Sequence, residues 1–172
     1  MPGRNRPATA YLGLGGNLGD PQAAMASALQ NIDASSGIAV RAVSSLYRTP
    51  PWGKIDQPDF LNAVARVETR LEPRALLDAC LAAETALKRV RAERWGPRVI
   101  DIDVLWFEGR QIDAPGLQIP HPRMLERAFV MAPLAEIAPE LVLDGRAATA
   151  IAGALDCSGI AQVTPDGAWW RG

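Results

Sequence analysis

The chain has 172 residues, 48% hydrophobic and 22% charged, enough apolar material for one ordinary core and too much for a disordered polymer. A net charge of −1 excludes the global basic field that nucleic-acid binders carry. Cys80 and Cys157 stand far apart with no Cys-x-x-Cys, which argues against both a thiolate metal site and a disulfide framework. The basic start, Met1-Pro2-Gly3-Arg4-Asn5-Arg6-Pro7, leads into no apolar h-region, and no run of about 18 apolar residues follows anywhere. A soluble cytoplasmic protein is expected.

Taken in order, residues 9–14 form a short apolar strand ending in Gly15-Gly16-Asn17-Leu18-Gly19-Asp20-Pro21. Asp20 followed by Pro21 is a helix start, and Met25, Ala28, Leu29 and Ile32 continue at helical spacing to about residue 34. The glycine turn is neither a dinucleotide fingerprint, because Leu18 stands where G-x-G-x-x-G requires glycine, nor a P-loop, because no Gly-Lys-Ser/Thr follows. It is a tight strand-to-helix turn, either purely structural or open to close approach by a ligand. Residues 38–47 alternate as a strand, and Arg48-Thr49-Pro50-Pro51-Trp52-Gly53-Lys54 breaks it. That loop either covers a ligand or merely connects. Residues 60–69 form the next strand, with Leu61, Ala63, Ala65 and Val67 on its core face and Phe60 with Asn62 opposite. Asn62 either bonds backbone or reads the amide-like edge of a flat heterocycle. Pro73 opens a helix to about residue 88, with Glu84 on or beside its apolar stripe. After a broken segment at 112–119 comes Pro120-His121-Pro122-Arg123, holding the only histidine, either structural or functional. Residues 124–137 read as a helix bent at Pro133, and beyond 141 the signals fade; Trp169 and Trp170 are expected to pack on the surface.

The most informative stretch lies between the second helix and the last core strand. In Arg94-Trp95-Gly96-Pro97-Arg98-Val99-Ile100-Asp101-Ile102-Asp103-Val104, strand period puts Asp101 and Asp103 on one side, and Ile100, Ile102, Val104 and Trp106 on the other. Five of the chain's eighteen cations (Lys88, Arg89, Arg91, Arg94 and Arg98) fall within residues 88–98. An Asp-x-Asp is often solvated turn chemistry, and an Arg-rich helix end often completes the helix dipole. Their adjacency shifts the balance towards carboxylates for a divalent cation beside arginines for phosphate oxygens.

The order strand, helix, strand, strand, helix, strand predicts an α+β, ferredoxin-like βαββαβ core with a mostly antiparallel sheet and a C-terminal extension. A single domain over 1–172 is expected, with its core at about 8–140. That fold hosts many functions.

Five pieces together resemble the 6-hydroxymethyl-7,8-dihydropterin pyrophosphokinases of folate biosynthesis. They are Gly15-Gly16-Asn17-Leu18-Gly19-Asp20, Ser44-Ser45-Leu46-Tyr47-Arg48-Thr49-Pro50-Pro51, Gln57-Pro58-Asp59-Phe60-Leu61-Asn62, the Arg94–Asp103 segment, and Pro120-His121-Pro122-Arg123 with Glu126-Arg127-Ala128-Phe129-Val130. The resemblance implies transfer of pyrophosphate from ATP to the pterin hydroxymethyl oxygen, with release of AMP, by a monomer using small-molecule substrates, without nucleic acid or membrane. It implies that Asp101 and Asp103 bind two Mg²⁺ ions, with ATP as co-substrate, and that Arg89 and Arg98 neutralise charge on the transferred group. Thr49, Pro50, Trp52, Asn62 and Phe129 would form the pterin slot. Glu84, Arg91, Trp95, His121 and Arg127 would contact ATP. The chain departs from many relatives in reading Gly-Gly-Asn rather than Gly-Ser-Asn, in an arginine loop about one residue shorter, and in a bulkier Trp52. Two rivals differ in kind: a nucleotidyltransferase, which would usually need a third carboxylate, and a non-catalytic ferredoxin-like sensing or RNA-binding module, which would carry paired aromatics on its central strands.

Overall fold

The structure, a computed structural model, describes residues 6–50, 58–91 and 100–171, with the side chains of 88–91 outside the description. Its core elements are β1 (Ala8–Gly16), α1 (Pro21–Asp33), β2 (Ile38–Val43), β3 (Tyr47–Thr49), β4 (Phe60–Thr69), α2 (Pro73–Arg91) and β5 (Asp101–Phe107). The hairpin β6 (Ile112–Ala114) and β7 (Leu117–Ile119) follows, then a 3₁₀ turn at Met124–Glu126 and α3 (Ala128–Ile137). The hairpin β8 (Val142–Leu143) and β9 (Arg146–Ala147), α4 (Ala148–Ala154), β10 (Ala161–Gln162) and a last 3₁₀ turn at Gly167–Trp170 complete the chain.

The sheet runs β5–β1–β4, with β2 and β3 sharing the far edge of β4 and β10 pairing with β3, every neighbour antiparallel. This is the ferredoxin-like α+β arrangement expected from the element order. Asp20 starts α1 as anticipated, its carboxylate accepting from Ala23 N at 3.1 Å, with Pro21 in the first turn. Strand alternation sorts the core into two layers. Ala10, Leu12, Leu14, Ala63, Ala65, Val67, Ile102 and Val104 face α1 and α2, where Met25, Leu29, Ile32, Leu76 and Cys80 are fully buried. Tyr11, Val64 and Leu105 face the other way, against Met124, Val130, Met131 and Leu134 beneath α3 and α4.

Three expectations are corrected. Trp106 lies on the α3 side, not with Ile102 and Val104, because the β1–β5 register slips between Tyr11 and Leu12. Such a bulge inserts one residue and reverses the alternation beyond it: Leu105 and Trp106 turn to one layer and Phe107 returns to the other. The helix read over 124–137 breaks at Arg127, whose backbone is extended (φ −107°, ψ 106°), while Pro133 sits inside α3. Trp170 is in the main core, 6% exposed, packed with the α1 layer, and Trp169 is partly buried against the same cluster. The tail reaches it by running along the β2–β3 edge: Val163 N donates to Leu46 O at 2.7 Å, Trp169 Nε1 to Ser44 O at 2.8 Å, and Gln30 Nε2 to Trp170 O at 2.7 Å.

Candidate active site

Helices α1 and α2 cover one face of the sheet completely, and α3 covers only part of the other. Side chains directly opposite in an antiparallel ladder point to the same face. The register sets Asp101 of β5 opposite Gly15 of β1, Gly15 opposite Asn62 of β4, and Asn62 opposite Tyr47 of β3. Asp103 sits one step further along, opposite Gly13. The middle strand therefore contributes no side chain between the carboxylates and the amide. The gap is enforced: a Cβ on Gly15 would lie 2.6 Å from Asn62 Oδ1. Two strand spacings, about 10 Å, separate the backbones carrying Asp101 and Asn62.

On the Asn62 side the wall is β3. Asn62 is buried, and its Nδ2 donates to Thr49 Oγ1 at 3.2 Å, while Thr49 is directly opposite Phe60. Pro50 follows, exposed. On the Asp side, β5 is held from its outer edge by α2, where Glu84 accepts the Ile102 amide at 2.8 Å, between the two aspartates. That bond gives the carboxylate on the apolar stripe a structural reason. Beyond β5, His121 N donates to Leu105 O at 2.8 Å, directly after the cis Ile119–Pro120 peptide. His121 Nδ1 accepts from Arg123 N at 3.2 Å. The Arg127 guanidinium lies 5.5 Å over the Phe129 ring at the start of α3.

Electrostatics couples these groups. Asp103 retains accessible surface, but its recessed setting strips enough water to raise its carboxyl above the ordinary range; nearby His121 and Arg127 pull it down and Asp101 pushes it up. His121 is lowered, chiefly by burial and further by Arg127 and Arg123, with Asp103 opposing. Beside them opens a recess of about 660 Å³ lined by Leu77, Asp103, Ala114, Leu117, His121 and Pro122. No cluster of three metal-ligating side chains occurs among the described residues. Asp101 and Asp103 are thus a two-carboxylate set, one member destabilised as an anion. This suits a hard cation that keeps water and takes further oxygens from a phosphate.

The structure brings together Thr49, Pro50 and Asn62 at one end of this face, and Asp101, Asp103, His121 and Arg127 at the other, with Phe129 on α3 beside Arg127. Glu84 lies under the β5 edge. Trp52, Trp95 and Arg98 lie outside the described residues, and for Arg89 and Arg91 only the α2 backbone is described.

The model of the 7,8-dihydro-6-hydroxymethylpterin-pyrophosphokinase family matches residues 11–139. The chain belongs to this family. Among its relatives, the 2-amino-4-hydroxy-6-hydroxymethyldihydropteridine pyrophosphokinase of Methylorubrum extorquens is 54% identical over 90% of this chain and 98% of its own. The enzyme of the same name from Pseudomonas aeruginosa is 46% identical over 79% of this chain and 85% of its own. In fold, the chain is similar to wild-type Plasmodium falciparum HPPK-DHPS, with a TM-score of 0.67 at 17% identity. That match covers 87% of this chain and 41% of the longer Plasmodium protein. Two features of this face were missed by sequence reasoning: the glycine floor, visible only in register, and the bonds of Ser45 and Tyr47 to Glu136, which join β3 to α3. A carboxylate near the end of the apolar helix AFVMAPLAEI was the available signal.

Proposed function

We infer that the chain is an ATP-dependent pyrophosphokinase that transfers the β,γ-pyrophosphoryl group of ATP to 6-hydroxymethyl-7,8-dihydropterin, giving the pterin diphosphate and AMP in folate biosynthesis. The observation that carries the site assignment is the row Asp101–Gly15–Asn62 across three neighbouring strands, with α3 beside it. It sets a hydrogen-bonding amide and a carboxylate pair at the two ends of a bare floor, as a flat heterocycle meeting a polyphosphate requires.

The buried Asn62 offers amide donors and an acceptor to the pterin edge, supported by Thr49. Pro50, Trp52 and Phe129 supply the apolar faces. ATP takes the recess beside β5, where His121 and Arg127 stand against Asp103, with Glu84, Arg91 and Trp95 as further contacts. Asp101 and Asp103 would hold two Mg²⁺ ions, which would supply charge neutralisation at the phosphate oxygens. Arg89 and Arg98 stabilise the charge that builds as the pterin oxygen bonds to the β-phosphorus and the bridging oxygen leaves with AMP; the hydroxyl proton passes to solvent. Positioning and electrostatics suffice for such a transfer.

Incubation with Mg-ATP and 6-hydroxymethyl-7,8-dihydropterin should yield AMP only when pterin and Mg²⁺ are both present. ADP would mark an ordinary kinase, and release of free pyrophosphate a nucleotidyltransferase. Asp101→Ala and Asp103→Ala should each lose at least 10²-fold in turnover, the order seen when one transition-state charge stabiliser is removed. Near-normal rates at ordinary Mg²⁺ would refute their role as metal ligands.

A further inference from the structure

Between β2 and β3 the strand ladder along β4 is interrupted at Ser44, Ser45 and Leu46. Ser44 stays with the sheet, its N donating to Val64 O at 2.9 Å and its Oγ accepting from Val64 N at 3.0 Å. Ser45 turns to α3 instead. Its amide donates to the Glu136 carboxylate at 3.0 and 3.2 Å and its hydroxyl at 2.9 Å, while Tyr47 OH donates to the same carboxylate at 2.6 Å. From the C-terminal segment, Gln162 Nε2 donates to Ser45 Oγ at 3.1 Å. Among the described residues no ion pair involves Glu136. Its partners are neutral donors, and charge-assisted bonds of this kind are about twice as strong as neutral ones.

The placement of this knot gives it meaning. Tyr47 lies opposite Asn62, and Thr49, two residues on, accepts from the Asn62 amide. Glu136 follows Phe129 by seven residues, two turns along the same face of α3. One carboxylate therefore ties the strand wall of the open face to the helix wall.

We propose that Glu136 is a positioning residue for the pterin, fixing β3 against α3 so that Asn62 and Thr49 keep their spacing from Phe129. This rests on assigning the Asn62 end of the face to the pterin. The Glu136 partners Ser45 and Tyr47 belong to the Asn62 end of the face, so its effect should fall on one substrate.

The test compares Glu136→Ala, Glu136→Gln, Tyr47→Phe and, as a control for the slot itself, Asn62→Ala. Steady-state KM is measured for each substrate with the other saturating, and melting temperature is measured alongside. Glu136→Ala should raise pterin KM at least tenfold while ATP KM stays within twofold. Glu136→Gln, which keeps one acceptor oxygen and the side-chain shape, should recover most of the loss, and Tyr47→Phe should fall between. Should the alanine variant fail to fold, Glu136→Gln and Tyr47→Phe still report, each with a pterin-only rise. Unchanged pterin KM in the Glu136 and Tyr47 variants, with Asn62→Ala impaired, would overturn the proposal and leave the slot standing. Parallel rises for both substrates that track the melting temperature would overturn it as well, reducing Glu136 to a structural tie. An unimpaired Asn62→Ala would remove the slot, and the proposal with it.

Discussion

Asp103 and His121 hold opposite pKa shifts a short distance apart, and their signs can be tested in the metal-free protein. Asp103 is raised from 3.8, so the folded state holds its proton more tightly than the unfolded chain, and stability falls as pH rises through and above that value. Asp103→Asn removes this penalty: the variant should melt higher than the parent at pH 7, and the difference should vanish below about pH 4. A lower melting point at pH 7 would contradict the desolvated carboxylate. His121 is lowered from 6.5, so its contribution runs the other way, with stability lost as pH falls below that value. As the only histidine it gives an unambiguous NMR titration. Its midpoint should lie below 6.5 and move lower still in Asp103→Asn, because the Asp103 charge is what holds it up. Gly15→Ala tests the floor itself: its methyl would collide with Asn62 Oδ1, so pterin KM should rise far more than ATP KM.

At the scale of elements, the site depends on how β5 is suspended. It is an edge strand on the side away from β1, and Glu84 of α2 supplies the acceptor for its Ile102 amide. Glu84→Ala leaves that donor to solvent or unpaired, at a cost of about 1–3 kcal/mol in chemical denaturation. Glu84→Gln keeps an acceptor and should lose less. A rise in ATP KM for Glu84→Gln at unchanged stability would assign the residue a direct nucleotide contact in addition. The β1–β5 bulge matters for the same strand. Without the bulge, alternation from Val104 would carry Trp106 to the α1–α2 layer and turn Phe107 to the α3 side, so the α1–α2 layer would lose a fully buried aromatic.

Across the whole molecule, the C-terminal segment is part of the fold. Trp170 is buried with the α1 layer, and Gly167 passes so close to Val43 that a Cβ there would fall 1.8 Å from Val43 O. Trp170→Ala should therefore destabilise by about 3–5 kcal/mol, the range for a large aromatic removed from a core. A loss below 1 kcal/mol in urea unfolding would show the tail to be dispensable. A Cβ on Gly159 of the same segment would lie 3.8 Å from Pro50 Cδ, so the tail also passes close to the end of β3.

What the sequence determined was local or periodic. The Asp20–Pro21 cap, the two helical stripes, the strand order and the pairing of Asp101 with Asp103 on one face all follow from residue type and from periods of 3.6 and 2, which neighbours along the chain suffice to express. The family motifs added the reaction and the candidate residues. Register lies beyond such patterns. That Gly15 separates Asp101 from Asn62, that Trp106 changes layer at a bulge, and that Glu84 and Glu136 spend their carboxylates on backbone and hydroxyl donors are decided by pairings between residues 18 to 95 positions apart. The burial of Trp170 is of the same kind. A polar or aromatic side chain records in its type that it needs a partner, but which partner it finds is set by the packing of distant elements, and only the tertiary structure decides that.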